Sequence, residues 1–239
     1  MIGLKKLPRR PVRDQAEKPF WISFSDLMTA LMVLFLVAMA VALMAVTQGL
    51  QRVEAEKVAR DEAIKSCMAD IAKLASKPEF RGVVVKENAV EFGPLAEFER
   101  RGHDLTPERR GFLRRFVPQM VDVTRSGSCG KWLKRVVVEG FASQEGSYLF
   151  NLNLSLQRSQ RVLCVLLDPH AADAPGKEDR RTIRKLFLVG GSSFNALKQS
   201  AEESRRVELK LEFRELGEKQ EAQSEIPWDE NPKCPLDKA

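Results

Sequence analysis

The longest uninterrupted apolar run of the chain lies near its beginning. From Leu27 to Val46 the only polar residue is Thr29. These roughly 20 residues are enough for a helix to cross a hydrocarbon core of about 30 Å. The run is too long for the apolar core of a signal peptide, and it lacks the polar face of a helix that packs inside a soluble protein. We therefore predict a transmembrane helix over residues 20–47.

After this run the pattern changes twice. Residues 48–80 are rich in charged residues and predict a linker helix, whose interrupted heptad pattern fits either packing against a second copy or a solvated linker. Residues 81–214 alternate short apolar runs with amphipathic stretches, which predicts a compact α+β domain. Residues 215–239 are charged and contain prolines, which is typical of a loose tail.

Local signals predict the elements of the α+β domain. Thr106, followed by Pro107, is a helix cap, and the apolar positions after it repeat with helical spacing from Phe112 to Val121. Ser147 caps a second helix that ends before Asp168 and a proline. We further expect a hairpin around residues 86–88 and a short buried strand at 136–138. A polar loop is predicted at 170–182, followed by an apolar run at 186–189 that is broken at 190–193. The last elements are a short helix or turn at 202–206 and a strand with one solvent-exposed face at 207–213.

The charge of the chain is unevenly distributed. The net charge is +6, and residues 1–19 hold six basic residues against two acidic ones. No aromatic residue interrupts this basic segment before Phe20, which argues against direct nucleic-acid binding. Lys and Arg accumulate on the cytoplasmic side of membrane helices. We therefore expect an inner-membrane protein with a cytoplasmic N-terminus and with residues 48–239 in the periplasm.

Asp26 is the acidic residue within the predicted membrane segment. It follows Trp21 by about five residues, or roughly 7–8 Å along a helix. A carboxylate at this depth costs a few kcal/mol, and such residues commonly mark ion or proton pathways. Desolvation favours the protonated form of a carboxyl group, so Asp26 is predicted to bind protons, with Ser25 and Thr29 lining the same path. The alternative is an interfacial carboxylate wetted by lipid headgroups.

The sequence favours no catalytic chemistry. It contains no combination of nucleophile and base, no phosphate-binding loop and no cysteine or histidine pair at metal-ligand spacing. We therefore expect no enzymatic activity, no metal and no cofactor, with protons as the coupling ion.

Four cysteines allow three disulfide pairings if the domain faces an oxidising compartment. Cys164 and Cys234 are candidates for one bridge, which would fasten the tail to the second helix. Cys67 is a candidate for a bridge either to Cys129 or to its own copy in a second chain.

Two segments carry a resemblance to known proteins. Residues 20–32, FWISFSDLMTALM, resemble the membrane segment of the MotB-type stator subunit, and Asp26 lies at the position of that family's proton-accepting aspartate. Residues 139–158, with the later Arg205 to Leu209, resemble the OmpA-like peptidoglycan-binding domain. The resemblance implies a fold class: a single-pass transmembrane α-helix plus a periplasmic α+β domain with a mixed sheet and helices on one face.

The second segment also suggests a ligand-binding face. Asn151, Leu154 and Arg158 recur at i, i+3 and i+7, on one face of the second helix, and Tyr148 lies on the same side. These positions match the peptidoglycan-binding motif of the OmpA-like family, and the planar guanidinium of Arg158 suits a carboxylate. Without the resemblance, Arg158 would be interpreted as part of a surface ion pair and Asn151 as a turn cap.

One position departs from the family pattern. Ala142 and Ser143 stand where the family commonly has Thr-Asp, whose Asp helps to bind the amino group of the cell-wall diaminopimelate. Gln144 and Glu145 are the candidates to replace that acid.

Residues 186–194, LFLVGGSSF, and the compact linker resemble most closely the MotB-like subunit of Zorya anti-phage systems. This resemblance implies a homodimer that works with a pentameric, multi-span MotA-like partner, is anchored to peptidoglycan and acts indirectly on cytoplasmic anti-phage effectors. Two alternatives remain open at this point: a flagellar-type stator subunit, and a passive wall-tethered membrane anchor without ion flow.

Overall fold

The computed structural model describes residues 18–125, 127–218 and 232–237. The chain forms two compact units, Met1–Glu56 and Lys57–Ala239. Most of the basic N-terminal segment and most of the predicted loose tail lie outside the described residues, so neither prediction is addressed by the structure.

Helix α1 extends over Lys18–Ala75 and contains the predicted membrane segment. It is the one helix among the described residues that is long and apolar enough to cross a membrane. None of its most apolar 18-residue window is buried within the chain. The alternative of a helix buried in a soluble core is therefore wrong, and the exposed apolar surface fits a single-pass membrane protein.

The last turns of α1 belong to the second unit. Cys67, Ile71 and Leu74 are buried in the core of that unit. Upstream of them, the side chain of Arg60 donates a hydrogen bond of 2.7 Å to the carbonyl oxygen of Arg214. The heptad positions at the end of the predicted linker therefore face the chain's own domain, and packing of these positions against a second copy is excluded in this conformation.

A five-stranded mixed sheet forms the centre of the second unit. The spatial order of its strands is β1-β2-β5-β3-β4, with the β3–β4 pair parallel and the other neighbours antiparallel. The strands are β1 Val84–Val85, β2 Ala89–Glu91, β3 Leu133–Gly140, β4 Phe187–Gly191 and β5 Val207–Phe213. The other helices are α2 Pro107–Arg125, α3 Cys129–Trp132, α4 Tyr148–Leu167, α5 Lys177–Leu186 and α6 Ala201–Ser204, with single 3-10 turns at Pro78–Phe80 and Gly93–Ala96.

The two faces of the sheet differ in polarity. Val136, Val138 and Leu209 point into a core that also contains the apolar faces of α2, α4 and α5. On the opposite face, Arg135 pairs with Glu212 at 2.5 Å. This arrangement is the predicted fold class, a mixed sheet with its helices on one face. The predicted hairpin, the apolar face of α2 and the caps at Thr106 and Ser147 are also confirmed.

Three local predictions are wrong. The predicted polar loop at 170–182 contains the first part of α5, an amphipathic helix whose one fully buried side chain is Ile183. The predicted break at 190–193 begins too early, because Gly190 and Gly191 are the last residues of β4. The predicted solvent-exposed face of β5 is only partly exposed, since Glu208 is buried and pairs with Arg206 at 2.7 Å.

Glycines let α4 approach the sheet closely. Gly140 and Gly191 are register partners at the ends of β3 and β4. A Cβ atom on Gly140 would lie 1.9 Å from the carbonyl oxygen of Ser155, and one on Gly191 would lie 2.7 Å from the Ser155 hydroxyl. No side chain fits at either position without moving α4, so this glycine pair fixes where the helix lies on the sheet.

Two disulfide bonds fasten the ends of the second unit. Cys67 at the end of α1 is bonded to Cys129 in α3, and Cys164 in α4 is bonded to Cys234 in the tail. Of the pairings left open by the sequence, the structure contains the two within one chain.

We expect the double substitution Cys67→Ser/Cys129→Ser to destabilise the domain strongly. The bridge joins residues 62 positions apart, and a loop of that length corresponds to about 4 kcal/mol in the chain-entropy model. Urea unfolding of the full chain in detergent, followed by circular dichroism, measures the change. A reducing agent opens both bridges and should lower the midpoint of the unsubstituted chain further still. An unchanged midpoint in the double variant contradicts the expectation.

Candidate functional site

The first candidate site is a carboxyl group in the apolar part of α1. Asp26 is the only ionisable residue between Lys18 and Arg52. Its side chain is exposed on the helix surface, as are those of Ser25 and Thr29. The structure thus places all three predicted residues on adjacent turns of one helix, where they are open to a lipid or protein neighbour.

The hydroxyl of Thr29 has a defined role within the helix. It donates a hydrogen bond to the carbonyl oxygen of Ser25, one turn earlier. The hydroxyl proton of Thr29 is thereby used, while its oxygen can still accept a hydrogen bond. Thr29 follows Asp26 by three positions, the spacing of helical neighbours. It can therefore accept a hydrogen bond from a neutral Asp26 carboxyl group more readily than donate one to the charged form.

The second candidate site is the end of the sheet where α4 begins. Ser147 caps α4 by accepting a hydrogen bond of 3.3 Å from the Phe150 amide. The side-chain amide of Asn151 donates to the carbonyl oxygens of Glu145 and Ser147, at 3.2 and 3.1 Å. Asn151 is 2% exposed, so its side-chain amide stabilises the conformation of the loop before α4 from the buried side.

Arg158 lies two turns further along the same face of α4, and its side chain is fully buried. Its three nitrogens each donate to a main-chain carbonyl oxygen: Nε to Gly102 at 2.9 Å, Nη1 to Phe141 at 2.8 Å and Nη2 to Glu99 at 3.1 Å. The guanidinium also lies 5.3 Å from the centre of the Phe98 ring. Among the described residues it has no carboxylate partner, so carbonyl dipoles and the ring stabilise its charge.

Burial lowers the pKa of Arg158 to about 10, and the nearby positive charge of Arg205 adds to the effect. The group still carries its proton at neutral pH. A buried cation of this kind is stable only while its carbonyl partners stay in place.

The predicted ligand-binding face is therefore an interior face. Asn151 and Arg158 do share one side of α4 with Leu154, as the spacing predicts, but all three side chains are buried. Their polar atoms shape neighbouring loops and are not open to a ligand in this conformation. The alternative interpretation of Arg158, a surface ion pair, is wrong for the same reason.

Tyr148 is the exposed member of the predicted set. Its side chain is 44% exposed, and its ring packs edge-on against Phe194 with 5.6 Å between the centroids. Its hydroxyl accepts a hydrogen bond of 3.3 Å from the side-chain amide of Asn195. Tyr148 thus lies on the surface beside the loop that follows β4.

The candidates for the missing acid differ in their surroundings. Ser143 is buried, and the nearby Gln144 is exposed. Glu145 accepts a hydrogen bond of 2.5 Å from the side chain of Arg100, across the loop that precedes α2. This contact lowers the pKa of Glu145 and raises that of Arg100. Glu145 is therefore the carboxylate that faces the exposed arginines of this end of the domain.

Sequence reasoning missed the tandem Arg100 and Arg101. Both side chains are exposed, and Arg101 has a backbone φ of 56°, in the left-handed region. The sequence signal for this loop is the pair of adjacent arginines directly before Gly102. Nothing in the helical or strand periodicity indicated that Arg158 lies directly behind this loop.

Comparison with known proteins gives one strong match. No family model matches the chain. The Zorya protein ZorB of Escherichia coli O139:H28 (strain E24377A / ETEC) is 43% identical over 231 residues, which cover 95% of this chain and 92% of that relative.

Solved structures provide more distant likenesses. The OmpA-like domain of FopA1 from Francisella tularensis subsp. tularensis SCHU S4 shares 16% identity at a TM-score of 0.35, covering 56% of this chain and 82% of its own. The periplasmic domain of Helicobacter pylori MotB shares 12% identity at a TM-score of 0.38, with the same two coverages. The peptidoglycan-associated lipoprotein from Burkholderia pseudomallei shares 12% identity at a TM-score of 0.34, covering 59% and 99%.

Arg158→Lys should destabilise the domain by about 3 kcal/mol or more. A lysine ammonium cannot bind all three carbonyl groups that the planar guanidinium binds, and each lost charge-assisted hydrogen bond leaves a buried acceptor unsatisfied. Thermal and urea unfolding of the full chain measure the loss. Arg115→Lys is the matched control, because Arg115 is exposed on α2 and its replacement should stay within about 0.5 kcal/mol. Equal midpoints for the two variants contradict the assigned role.

Proposed function

The chain belongs to the family of the Zorya protein ZorB, and on that premise we propose that it is the proton-carrying, wall-anchored subunit of an inner-membrane motor of the MotA/MotB type. Membership of the family makes it a MotB-like, stator-type subunit of a Zorya system. The observation that carries the finer proposal is the position of Asp26. It is the single ionisable group between Lys18 and Arg52, in the part of α1 whose apolar surface is uncovered.

Proton binding at Asp26 would change the contacts that this helix prefers. A charged carboxylate at membrane depth costs a few kcal/mol unless a partner stabilises it, and protonation removes that cost. The proton enters from the periplasm and leaves to the cytoplasm, and each charge that crosses yields about 2.3 kcal/mol per 100 mV. Two copies of the chain stand within a pentameric ring of multi-span partner subunits. Alternation between the two states of Asp26 turns this ring around the helices.

The orientation in the membrane has two supports. The basic residues before α1 favour a cytoplasmic N-terminus. Both disulfide bonds lie in the second unit, and such bonds persist mainly in oxidising compartments. The second unit is therefore assigned to the periplasm, where peptidoglycan is within its reach.

Anchoring to the wall is assigned to the end of the sheet that carries Tyr148 and the arginine-bearing loop. Exposed cationic groups there, Arg100 and Arg101, suit the carboxylates of the peptide stems of peptidoglycan. An anchored second unit keeps the pair of helices from rotating with the ring. Motion of the ring then signals infection to cytoplasmic anti-phage effectors.

Asp26→Asn should abolish protection against phage at normal expression and membrane insertion. Asparagine keeps the size and polarity of the side chain but cannot exchange a proton. Plaque counts on cells that carry the complete Zorya system measure protection, and a pH-sensitive dye in vesicles that contain the chain and its multi-span partner measures proton flux. Flux should fall to the background of empty vesicles.

The matched control is Asp70→Asn, the same chemical change on an exposed part of α1 in the second unit. It should leave protection and flux unchanged. Protection that survives Asp26→Asn favours a passive wall-tethered anchor and overturns the motor. Protection that persists with a protonophore present but is lost in sodium-free medium overturns the choice of ion.

A further inference from the structure

The two disulfide bonds differ in how far solvent reaches them. Cys67 and Cys129 are 0% and 1% exposed and belong to the hydrophobic core. Cys164 and Cys234 are both partly exposed, at the surface of α4. Thiol–disulfide exchange needs a thiolate to reach one of the two sulfur atoms, so its rate depends on access. In the folded domain the bond between Cys164 and Cys234 is therefore the one that is open to a thiol.

The bond between Cys164 and Cys234 fastens a short segment of the tail, residues 232–237, to α4. None of the residues in this segment is buried. The Asp237 amide donates to the Cys234 carbonyl oxygen at 3.2 Å, which closes a turn, and the Asp237 carboxylate accepts a hydrogen bond of 2.6 Å from Arg161. Within the described residues, the disulfide bond and the contacts with Arg161 are thus the side-chain links between this segment and α4.

Arg161 joins the tail segment to the rest of the domain. Its side chain is 8% exposed, with Nη2 paired to Asp104 at 2.9 Å and Nη1 paired to Asp237. Nη1 also donates to the sulfur of Cys234 at 3.6 Å. The two carboxylates more than balance the charge of the guanidinium, so its effect on the disulfide bond is that of an N–H donor in contact with one sulfur. That sulfur belongs to Cys234.

The surroundings of Cys164 are different. It lies in the last turn of α4, where its own carbonyl oxygen accepts a hydrogen bond of 3.1 Å from the Asp168 amide. The carbonyl dipoles at the C-terminus of a helix disfavour a negative charge nearby. A thiolate is therefore better stabilised at Cys234 than at Cys164, and the better-stabilised thiolate is the faster leaving group in exchange.

We propose that the bond between Cys164 and Cys234 is a thiol–disulfide exchange site for a periplasmic dithiol, and that the bond between Cys67 and Cys129 is closed to this reaction. A thiolate of the dithiol attacks the sulfur of Cys164, and Cys234 leaves as a thiolate that takes up a proton. The second thiol then attacks the reductant's own sulfur in the mixed disulfide and releases Cys164, which is also protonated. The reductant becomes a disulfide, and the chain gains two electrons and two protons.

Reduction at this site frees the tail segment without opening the core. Asp237 loses its covalent support beside Arg161, and Asp104 remains as the partner that belongs to the folded domain. The buried bond between Cys67 and Cys129 still joins the end of α1 to α3. The assignment rests on the proposed periplasmic location of the second unit and adds to it a reversible change in how the tail is held.

Thiol trapping compares the two bonds directly. The full chain in detergent is treated with dithiothreitol, a dithiol, without denaturant, and samples are quenched over time with a maleimide that labels each free thiol. Peptide mass spectrometry identifies the labelled cysteines. Cys164 and Cys234 should react at least a hundredfold sooner than Cys67 and Cys129, whose bond should open rapidly only in urea. Equal rates, or earlier reaction of the core pair, overturn the assignment.

A monothiol shows which sulfur is attacked. With glutathione and an early acid quench, the mixed disulfide should form on Cys164 at least tenfold more often than on Cys234, and the reverse preference overturns the role of Cys234 as the leaving group. Arg161→Gln should shift this ratio towards Cys234. The matched control is Arg205→Gln, because Arg205 is similarly shielded but is bound to Glu202. An unchanged ratio in Arg161→Gln, or an equal shift in the control, overturns the role of Arg161.

The double substitution Cys164→Ser/Cys234→Ser represents the opened state. It should keep the circular dichroism of the unsubstituted chain and a cooperative melting transition, at a lower temperature because the crosslink is gone. Loss of the cooperative transition means that this bond holds the whole domain together, and it overturns the assignment to the tail.

Trapping in living cells separates the exchange site from the location on which it rests. Acid-quenched cells that express the complete system should contain all four cysteines in disulfide bonds, and a brief exposure to dithiothreitol should free only Cys164 and Cys234. Four free thiols in untreated cells overturn the periplasmic location. Two bonds that both survive the exposure overturn the exchange site, while the location stands.

Discussion

The hydrogen bonds of Arg158 hold together the end of the domain at which a ligand would be bound. The guanidinium reaches the carbonyl of Phe141, just after β3, and those of Glu99 and Gly102 in the loop of residues 99–102. It can do so only because α4 lies unusually close to the sheet, which the glycine pair Gly140 and Gly191 permits. A buried positive charge without a carboxylate needs every one of these carbonyl groups, so the loop, the strand end and the helix are fixed together.

Much of the fold follows from the sequence because local signals and packing agree there. The apolar run from Leu27 to Val46, the caps at Thr106 and Ser147 and the apolar face of α2 each have one consistent interpretation, and the structure contains them. The failures have a common cause. Periodicity tells which residues share a face of α4 but not that the face is turned inward, and a charged Arg158 is ordinarily counted as exposed. In the same way, α5 has too few apolar residues to stand out, and the glycines of β4 are explained only by the helix packed against them.

The two candidate sites illustrate opposite uses of an ionisable group in an apolar setting. Arg158 keeps one charge state, because three carbonyl groups surround it and no partner can move without breaking the domain. Asp26 has no such cage: it is exposed on its helix, and the hydroxyl proton of the neighbouring Thr29 is bound to the Ser25 carbonyl. The helix itself thus offers the neutral carboxyl group an acceptor and withholds the Thr29 hydroxyl proton from the charged form. Under the proposed function, a partner subunit supplies the main stabilisation of the charged form. Contact with the partner then depends on protonation, which is the coupling that an ion-driven motor needs.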